Sequence, residues 1–196
     1  MSEQNFDLYR DIAKRTDGDI YIGVVGPVRT GKSTLISRMM EELVLSRMAA
    51  GPRRERLTDE LPQSGSGKTI MTTQPKFVPS EAVSVTLDDQ SAVRVRMVDS
   101  VGYLVEGALG TEEDGASRMV HTPWFDYDVP FEQAAELGTR KVITDHATIG
   151  LVVTTDGSIA DLSREAYQPP EERVVRELKE IGKPFILILN SRHPEA

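Results

Sequence analysis

The eight-residue run from Gly26 to Ser33, GPVRTGKS, constrains the fold of this chain more than any other feature. It matches the pattern G-x-x-x-x-G-K-[ST] at every fixed position. An apolar run from Ile20 to Val25 precedes it and predicts a buried strand, and Thr34 to Met48 has apolar residues at helical spacing. In a strand–turn–helix context, the backbone N–H groups of the turn and the positive end of the helix converge on an anion. The sequence therefore predicts a P-loop that binds the phosphates of a nucleotide.

The positions of this loop have different predicted roles. Gly26 and Gly31 let the backbone curl so that successive N–H groups face phosphate oxygens. Lys32 is expected to reach the β- and γ-phosphates, and the Ser33 hydroxyl is expected to be a ligand of Mg²⁺. The other nucleotide contacts predicted in and beside the loop are Arg29, Thr30 and Thr34. Two interpretations of Arg29 stay open: it offsets charge on the transferring phosphoryl group, or it is a solvated loop residue.

Composition narrows the class of protein. A chain of 196 residues is expected to form one P-loop NTPase domain over residues 1–196, with an irregular, glycine-rich and acidic insert at about 103–130. The net charge of −8 gives no electrostatic basis for non-specific binding of nucleic acid, so no nucleic-acid partner is expected. The sequence has no cysteine and no apolar run near the ~20 residues that span a bilayer. A cytoplasmic location and the lack of a transmembrane segment are therefore expected.

Strand and helix patterns alternate along the chain. Two alternating apolar runs joined by a polar turn, 82–87 and 92–98, predict an antiparallel hairpin. The charged stretch at 51–67 is expected to be flexible. Further elements are predicted at 6–15 (helix), 131–146 (helix), 149–155 (strand), 170–181 (helix opened by Pro170) and 184–190 (strand). Such alternation predicts an α/β fold, a doubly wound, mostly parallel sheet with helices on both faces, as in GTPase-like P-loop NTPases.

A second motif, Asp99-Ser100-Val101-Gly102, follows the strand predicted at 92–98. P-loop hydrolases use an aspartate in this position on the metal side of the nucleotide. We therefore expect the Asp99 carboxylate to hold Mg²⁺ or its water, opposite Ser33. The Gly102 N–H is expected to contact the γ-phosphate.

The run Lys68-Thr69-Ile70-Met71-Thr72-Thr73 lies between the two motifs. A magnesium-dependent nucleotide switch closes a segment over the γ-phosphate when the triphosphate is bound. The position of the run favours Thr72 or Thr73 for that role, and Thr73 also as a ligand of Mg²⁺. Ordinary β-propensity of paired threonines is the alternative interpretation.

The last predicted strand ends in Asn190-Ser191-Arg192-His193. Guanine-specific members of this class end the corresponding strand with Asn-Lys-x-Asp, whose aspartate accepts hydrogen bonds from guanine. Asn190 is a predicted nucleotide contact, but Ser191 and His193 replace the lysine and the aspartate, so nothing in the sequence rejects ATP. Tyr103 follows Gly102 where many relatives place a water-orienting glutamine. The attacking water is therefore expected to be positioned by another group, by a side chain of the insert or by a partner molecule, with slow turnover.

Several segments resemble the stage IV sporulation protein A family. The resemblance runs from about Asp7 to Asn190, nearly the whole chain, and is carried by residues beyond the general P-loop pattern. The similar segments are DIYIGVVG (19–26), VRTGKST (28–34), DELPQS (59–64), GKTIMTT (67–73), TPW (122–124), ELGTRKVI (136–143) and TTDG (154–157).

This resemblance implies an ATPase that uses Mg²⁺ and ATP. Members of the family hydrolyse ATP to drive irreversible self-assembly into the basement layer of the spore coat. The resemblance implies that Lys32 binds nucleotide, that Thr72 and Thr73 sense hydrolysis, and that Asp99 lies on the metal side.

The resemblance also implies a cellular setting. The expected location is the mother-cell cytoplasm, peripheral to the outer forespore membrane, where a small amphipathic peptide anchors the C-terminal region of family members. The family continues well beyond the position of Asn190, so we expect self-association and the contacts with coat proteins and anchoring peptide to involve regions outside this chain.

Three other functions stay open from the residues. A regulatory or ribosome-assembly GTPase would use the same loop and switch. A small-molecule kinase would need an acceptor pocket, for which the insert at 103–130 is the candidate. A degenerate scaffold would bind no nucleotide.

Overall fold

The computed structural model of the chain describes residues 18–62, 74–87, 91–113, 115–160 and 162–195. The helix predicted at 6–15 lies outside the described residues, as do the predicted switch threonines Thr72 and Thr73. In the described ranges the backbone forms nine strands: β1 Asp19–Val25, β2 Lys76–Leu87, β3 Ser91–Asp99, β4 Glu112–Glu113, β5 Ala116–Ser117, β6 Met119–Val120, β7 Val129–Pro130, β8 Ile149–Thr155 and β9 Phe185–Asn190.

The long strands form a single sheet in the order β2-β3-β1-β8-β9. β1, β3, β8 and β9 are parallel, and β2 is antiparallel to β3, which confirms the predicted hairpin and the mostly parallel sheet. The register pairs Val24 of β1 with Asp99 of β3, and Thr155 of β8 with Asn190 of β9. The carboxyl ends of four parallel strands therefore meet at one edge of the sheet, where ligands bind in open α/β sheets.

Helices cover both faces of this sheet. The described helices are α1 Lys32–Leu43, α2 Pro52–Glu60, α3 Phe131–Lys141 and α4 Arg164–Glu180, with a 3-10 turn at Leu45–Arg47 and a π turn at Val142–His146. Val24 belongs to the buried cluster that includes Ile36 of α1, whereas its neighbour Val25 belongs to the cluster that includes Val174 of α4. Because successive side chains of a strand point to opposite faces, this alternation confirms the doubly wound architecture. None of the described helices is both long and apolar enough to cross a bilayer.

The charged stretch after α1 is helical over 52–60, so the prediction that it is flexible is wrong there. Pro52 occupies the first turn of α2, where its missing N–H costs nothing. Leu57 is buried in the core. The Glu60 carboxylate accepts hydrogen bonds from the Ser80 N–H at 2.7 Å and from its hydroxyl at 2.8 Å. A leucine anchor and a contact with β2 thus order a segment whose composition alone favours a loop.

Two helix boundaries also differ from prediction. The helix expected over 34–48 ends as α1 at Leu43 and continues as a 3-10 turn. The helix expected at 170–181 begins six residues earlier, at Arg164, so Pro170 lies inside α4 and does not open it. The Arg164 guanidinium donates to Thr154 Oγ1 and to the Thr155 carbonyl, both at 3.2 Å. These contacts with β8 hold the first turn of α4 and outweigh the prolines.

The insert at residues 103–130 packs against the rest of the fold and does not form a second layer of sheet. β4 pairs with β5, and β6 with β7, in short antiparallel ladders. Val101, Val120 and Val129 form a buried cluster with Phe131 and Ala134 of α3. The insert therefore lies against α3, on the face of the molecule next to the carboxyl ends of the strands.

Gly23 of β1 lies in close contact with Ala147, the residue after the π turn, and a substitution can test this contact. A Cβ added at Gly23 would lie 2.5 Å from Ala147 Cβ, so Gly23→Ala is expected to destabilise the fold by about 1–3 kcal/mol through overpacking. Urea unfolding of the variant measures the loss. The double variant Gly23→Ala/Ala147→Gly moves the methyl group across the contact and should recover part of it. A double variant no more stable than Gly23→Ala would contradict the assigned contact.

Candidate functional site

The P-loop leaves the end of β1 and enters α1 at the carboxyl edge of the sheet. Gly26 has φ 135°, and a Cβ there would lie 2.2 Å from the Val153 carbonyl oxygen of β8. Gly31 has φ 88°, and a Cβ there would lie 2.6 Å from Asn190 Nδ2. Both fixed glycines are therefore required by backbone conformation and by close approach of neighbouring strands.

Asn190, at the end of β9, holds the loop from the side. Its Nδ2 donates a hydrogen bond to the Thr30 carbonyl at 3.0 Å. The Thr30 hydroxyl donates to the Pro27 carbonyl, also at 3.0 Å, across the turn. The predicted nucleotide contacts Thr30 and Asn190 thus also define the shape of the loop.

Lys32 places a charged group inside the fold. Its residue is 5% exposed, and its ammonium donates to the Pro27 carbonyl at 2.6 Å. Burial lowers the pKa of Lys32 from 10.5 to about 8, and the nearby Asp99 charge opposes that shift. A buried ammonium bonded to a neutral carbonyl is poorly compensated, so an anion in the loop would stabilise it.

Ser33 and Asp99 meet across the gap between α1 and β3. The Ser33 hydroxyl donates to Asp99 Oδ2 at 2.7 Å, while Asp99 Oδ1 is buried without a hydrogen-bond partner. Burial raises the pKa of Asp99, although the Ser33 bond and the charges of Lys32 and Lys76 act in the opposite direction. A hydroxyl beside a carboxylate with a free oxygen fits Mg²⁺, which usually takes one or two carboxylates, water and substrate phosphates. Among the described residues no three acidic or histidine side chains cluster around a possible ion.

The segment after Asp99 lies directly on the P-loop. Tyr103 N–H donates to the Gly26 carbonyl at 3.2 Å, and Val28 N–H donates to the Tyr103 carbonyl at 2.9 Å. Gly102 has φ 100°, and a Cβ there would lie 2.6 Å from Lys32 Nζ. The two motifs are therefore joined as one unit around the Lys32 ammonium. The Gly102 N–H itself donates to Thr139 Oγ1 of α3 at 3.0 Å.

The Tyr103 side chain points to α4. Its hydroxyl donates to the Glu177 carboxylate, and burial together with this contact raises the pKa of Tyr103. The Arg173 guanidinium lies 4.1 Å from the centre of the Tyr103 ring and pairs with both Glu177 and Glu136 of α3. Tyr103 is thus used for packing and is not available to orient a water at the phosphates.

The residues after Asn190 form a local turn with the loop after β8. The Ser158 hydroxyl and N–H donate to Asp156 Oδ1 at 2.6 and 2.9 Å, and the Ser191 hydroxyl donates to Asp156 Oδ2 at 2.6 Å, contacts that lower the pKa of Asp156. The His193 N–H donates to Ser191 Oγ at 2.9 Å, and its side chain is exposed. The guanine-selective carboxylate has no counterpart at position 193.

The structure brings together most of the residues predicted from the sequence. Those that meet at the loop or its rim are Gly26, Arg29, Thr30, Gly31, Lys32, Ser33, Thr34, Asp99, Gly102 and Asn190. Arg29 is half-exposed with φ 62°, and Thr34 is exposed in the first turn of α1. Thr72 and Thr73 lie outside the described residues, so their roles stay predictions.

Thr139, Arg173 and Glu177 are not predicted from the sequence. The spacing of Arg173 and Glu177 places both on one face of α4. Nothing in a single sequence indicates that this face meets the segment after Asp99, because the contact joins elements far apart in the chain.

Replacing Lys32 by methionine tests the buried charge. Because the folded pKa of about 8 lies below the unfolded value of 10.5, the burial penalty is fully present below pH 8. It disappears as pH rises from 8 to 10.5. Lys32→Met should therefore unfold with a free energy higher than the parent at pH 7, by an amount on the order of 1–3 kcal/mol. That advantage should shrink towards pH 10, as followed by urea unfolding.

Nucleotide titrations complete this experiment, because Lys32→Met should lose binding while the fold is kept. The Pro27 carbonyl retains the Thr30 hydroxyl as a donor in the variant. A stability difference independent of pH, or retained nucleotide affinity, would contradict the assignment of Lys32.

Known proteins resemble this chain over nearly its whole length. The model of the family described as Stage IV sporulation protein A, ATPase domain, matches residues 3–196. Stage IV sporulation protein A of Clostridioides difficile (strain 630) is 57% identical over 192 residues, and that of Bacillus subtilis (strain 168) is 56% identical over 191. These matches cover 98% and 97% of this chain but 39% of each relative, so the chain spans about two fifths of their length.

Likeness to solved structures is remote. The crystal structure of a variant of SsGBP aligns with 100% of this chain and 48% of that chain, at 14% identity and a TM-score of 0.41. The fold is therefore assigned from the strand order and register of the chain itself.

The family match extends over nearly the whole sequence and includes both motifs that meet around Lys32. Its description agrees with the ATPase expected from the resemblance. The chain belongs to the Stage IV sporulation protein A family, over the ATPase domain of that family.

Proposed function

We propose that this chain is a Mg²⁺-dependent ATPase whose turnover drives self-assembly of the spore coat basement layer on the forespore surface. The observation that carries the proposal is a buried ammonium beside a Ser33–Asp99 hydrogen bond whose second carboxylate oxygen has no partner. The buried ammonium donates to a neutral carbonyl, so an anion would stabilise it. The carboxylate oxygen has no donor, so a cation would stabilise it. A magnesium-bound polyphosphate satisfies both.

Each residue at the loop is given a role in binding or in hydrolysis. The Lys32 ammonium binds β- and γ-phosphate oxygens and stabilises the charge that develops on them in the transition state. The Ser33 hydroxyl and the Asp99 carboxylate would hold Mg²⁺, which would offset the negative charge of the phosphates. The Gly102 N–H donates to the γ-phosphate. Thr72 and Thr73 sense that phosphate, and Thr73 adds a ligand to the metal.

The base is adenine rather than guanine in this proposal. A guanine-specific site needs a carboxylate that accepts from the base, and the chain has His193 in that place with an exposed side chain. The Ser191 hydroxyl is bonded to Asp156, so it does not imitate the lysine of the guanine-specific pattern. The GTPase alternative therefore has less support than an ATPase.

Slow turnover by this chain alone fits the use of Tyr103. With its hydroxyl bonded to Glu177, Tyr103 does not orient the attacking water, and we assign that task to a group supplied when the protein assembles. Hydrolysis coupled to assembly would then be faster than hydrolysis by the separate domain.

The assembly role rests on the family. The relatives named Stage IV sporulation protein A are longer than this chain, which spans 39% of them. We assign self-association, contacts with coat proteins and anchoring by a small amphipathic peptide to the full-length protein. Its location in this proposal is the mother-cell cytoplasm, peripheral to the outer forespore membrane.

A comparison of ATP and GTP hydrolysis tests the activity and the base together. The chain is expected to release phosphate from Mg-ATP and to be at least about tenfold slower with Mg-GTP. The Thr72→Ala/Thr73→Ala double variant should bind Mg-ATP but lose turnover, whereas Thr69→Ala, in the same run, serves as the matched control. Preference for GTP, or a double variant as active as the parent, would overturn the respective assignment.

Asp99→Asn tests the metal side of the loop. The amide oxygen of asparagine can still accept the Ser33 hydrogen bond, so the fold should be kept, but the charge that holds Mg²⁺ is lost. We expect ATP affinity to become independent of Mg²⁺ in calorimetric titrations with and without the ion. Turnover should fall by about 100-fold or more. An Asp99→Asn variant whose ATP affinity still rises with Mg²⁺ would place the ion elsewhere.

A further inference from the structure

The amide expected to receive the γ-phosphate already has an acceptor within the protein. The Gly102 N–H donates to Thr139 Oγ1 at 3.0 Å, and Thr139 is fully buried. Gly102 lies against the P-loop, since a Cβ added to it would lie 2.5 Å from the Gly26 carbonyl oxygen and 2.6 Å from Lys32 Nζ. The hydrogen bond is therefore made at the phosphate-binding loop itself, by a helix that contributes no residue to either sequence motif.

The part of α3 around Thr139 is held by contacts of the neighbouring residues. One turn before it on α3, Glu136 pairs with Arg173 of α4. The residue before it, Gly138, leaves room for the Trp124 ring and for Pro75, which would lie 3.2 and 3.3 Å from a Cβ at that position. These contacts hold the part of α3 that carries Thr139.

We propose that Thr139 lowers the affinity of the site for ATP relative to ADP, because its hydroxyl is the acceptor that the γ-phosphate must displace from Gly102. This inference rests on the proposed function, namely ATP bound at the P-loop. An amide has one hydrogen, so a strong hydrogen bond to the γ-phosphate forms at the expense of the bond to Thr139. A charged phosphate oxygen is the stronger acceptor and wins the exchange. ADP ends at the β-phosphate and leaves the Gly102–Thr139 bond in place.

The exchange has a direct thermodynamic consequence. Breaking a buried hydrogen bond on binding lowers the affinity for ATP but not for ADP, because a ligand shifts an equilibrium only by its differential interaction with the two states. Removing the Thr139 oxygen leaves the Gly102 amide without a partner in the nucleotide-free and ADP-bound states. In the ATP-bound state the amide keeps the γ-phosphate. The ratio of ATP affinity to ADP affinity should therefore rise when Thr139 loses its hydroxyl.

A tryptophan that packs on α3 can report the exchange through its fluorescence. Trp124 is the single tryptophan of the chain, and its ring packs on Gly138, the neighbour of Thr139. Loss of the Gly102 bond frees Thr139 beside this contact. Tryptophan emission should therefore respond to the γ-phosphate rather than to occupancy of the loop.

The decisive experiment compares Thr139→Val with Thr139→Ser in the whole chain. Valine keeps the shape of threonine without an acceptor, and serine keeps the hydroxyl. In the presence of Mg²⁺, calorimetry measures the affinity of each protein for the β,γ-imido analogue of ATP and its affinity for ADP. We expect the ATP-analogue to ADP affinity ratio to rise about tenfold in Thr139→Val and to stay at the parent value in Thr139→Ser. An unchanged ratio in Thr139→Val, with binding intact, would overturn the inference.

Two measurements on the parent chain keep the inference testable should Thr139→Val not fold. The Gly102 amide resonance in ¹⁵N-labelled protein should shift on addition of the ATP analogue and stay in place with ADP, and Trp124 emission should follow the same pattern. Equal shifts with both nucleotides would overturn the inference while leaving nucleotide binding established. If the parent bound neither nucleotide, the proposed function itself would fail, and the inference would fail with it.

Discussion

The burial of the Lys32 ammonium is the constraint on which the rest of the site depends. A charged group this deep in the fold is unfavourable unless compensated, and its hydrogen bond here is to the neutral Pro27 carbonyl. The surrounding backbone can approach the ammonium only because Gly102 has no side chain. Asp99 lies close enough to offset part of the cost, and its own carboxylate is also desolvated. The nucleotide-free loop thus carries an electrostatic desolvation cost that is only partly offset, and a bound magnesium polyphosphate would reduce it.

The sheet topology explains why these groups meet. Lys32, Asp99 and Asn190 are far apart in sequence, yet Asp99 and Asn190 end parallel strands and Lys32 lies in the loop-to-helix segment after another. Parallel strands bring such ends to one edge, and the crossing helices close it from both faces. α3 contributes to the same edge through a different route, because the insert over residues 103–130 packs on it and on the segment after Asp99.

How much of the fold and of the site could be predicted from the sequence depends on how far apart along the chain the interacting residues lie. The P-loop and the Asp99–Gly102 motif are local patterns with fixed chemistry, so the roles of Lys32, Ser33 and Asp99 could be inferred before any geometry. The α2 helix was not predictable from its charged composition, since Leu57 and the Glu60–Ser80 contact stabilise it through β2. The contacts of Thr139 and Tyr103 join segments 37 and 74 residues apart. A single sequence carries no periodic signal for such pairs.

The Asn190–Thr30 hydrogen bond spans 160 positions of the chain. It ties the nucleotide loop, near the start of the described residues, to the end of the last described strand. A nascent chain therefore lacks this brace until residue 190 has left the ribosome. The loop is synthesised before most of the sheet, but its braced form is available only once all five strands of that sheet have been translated.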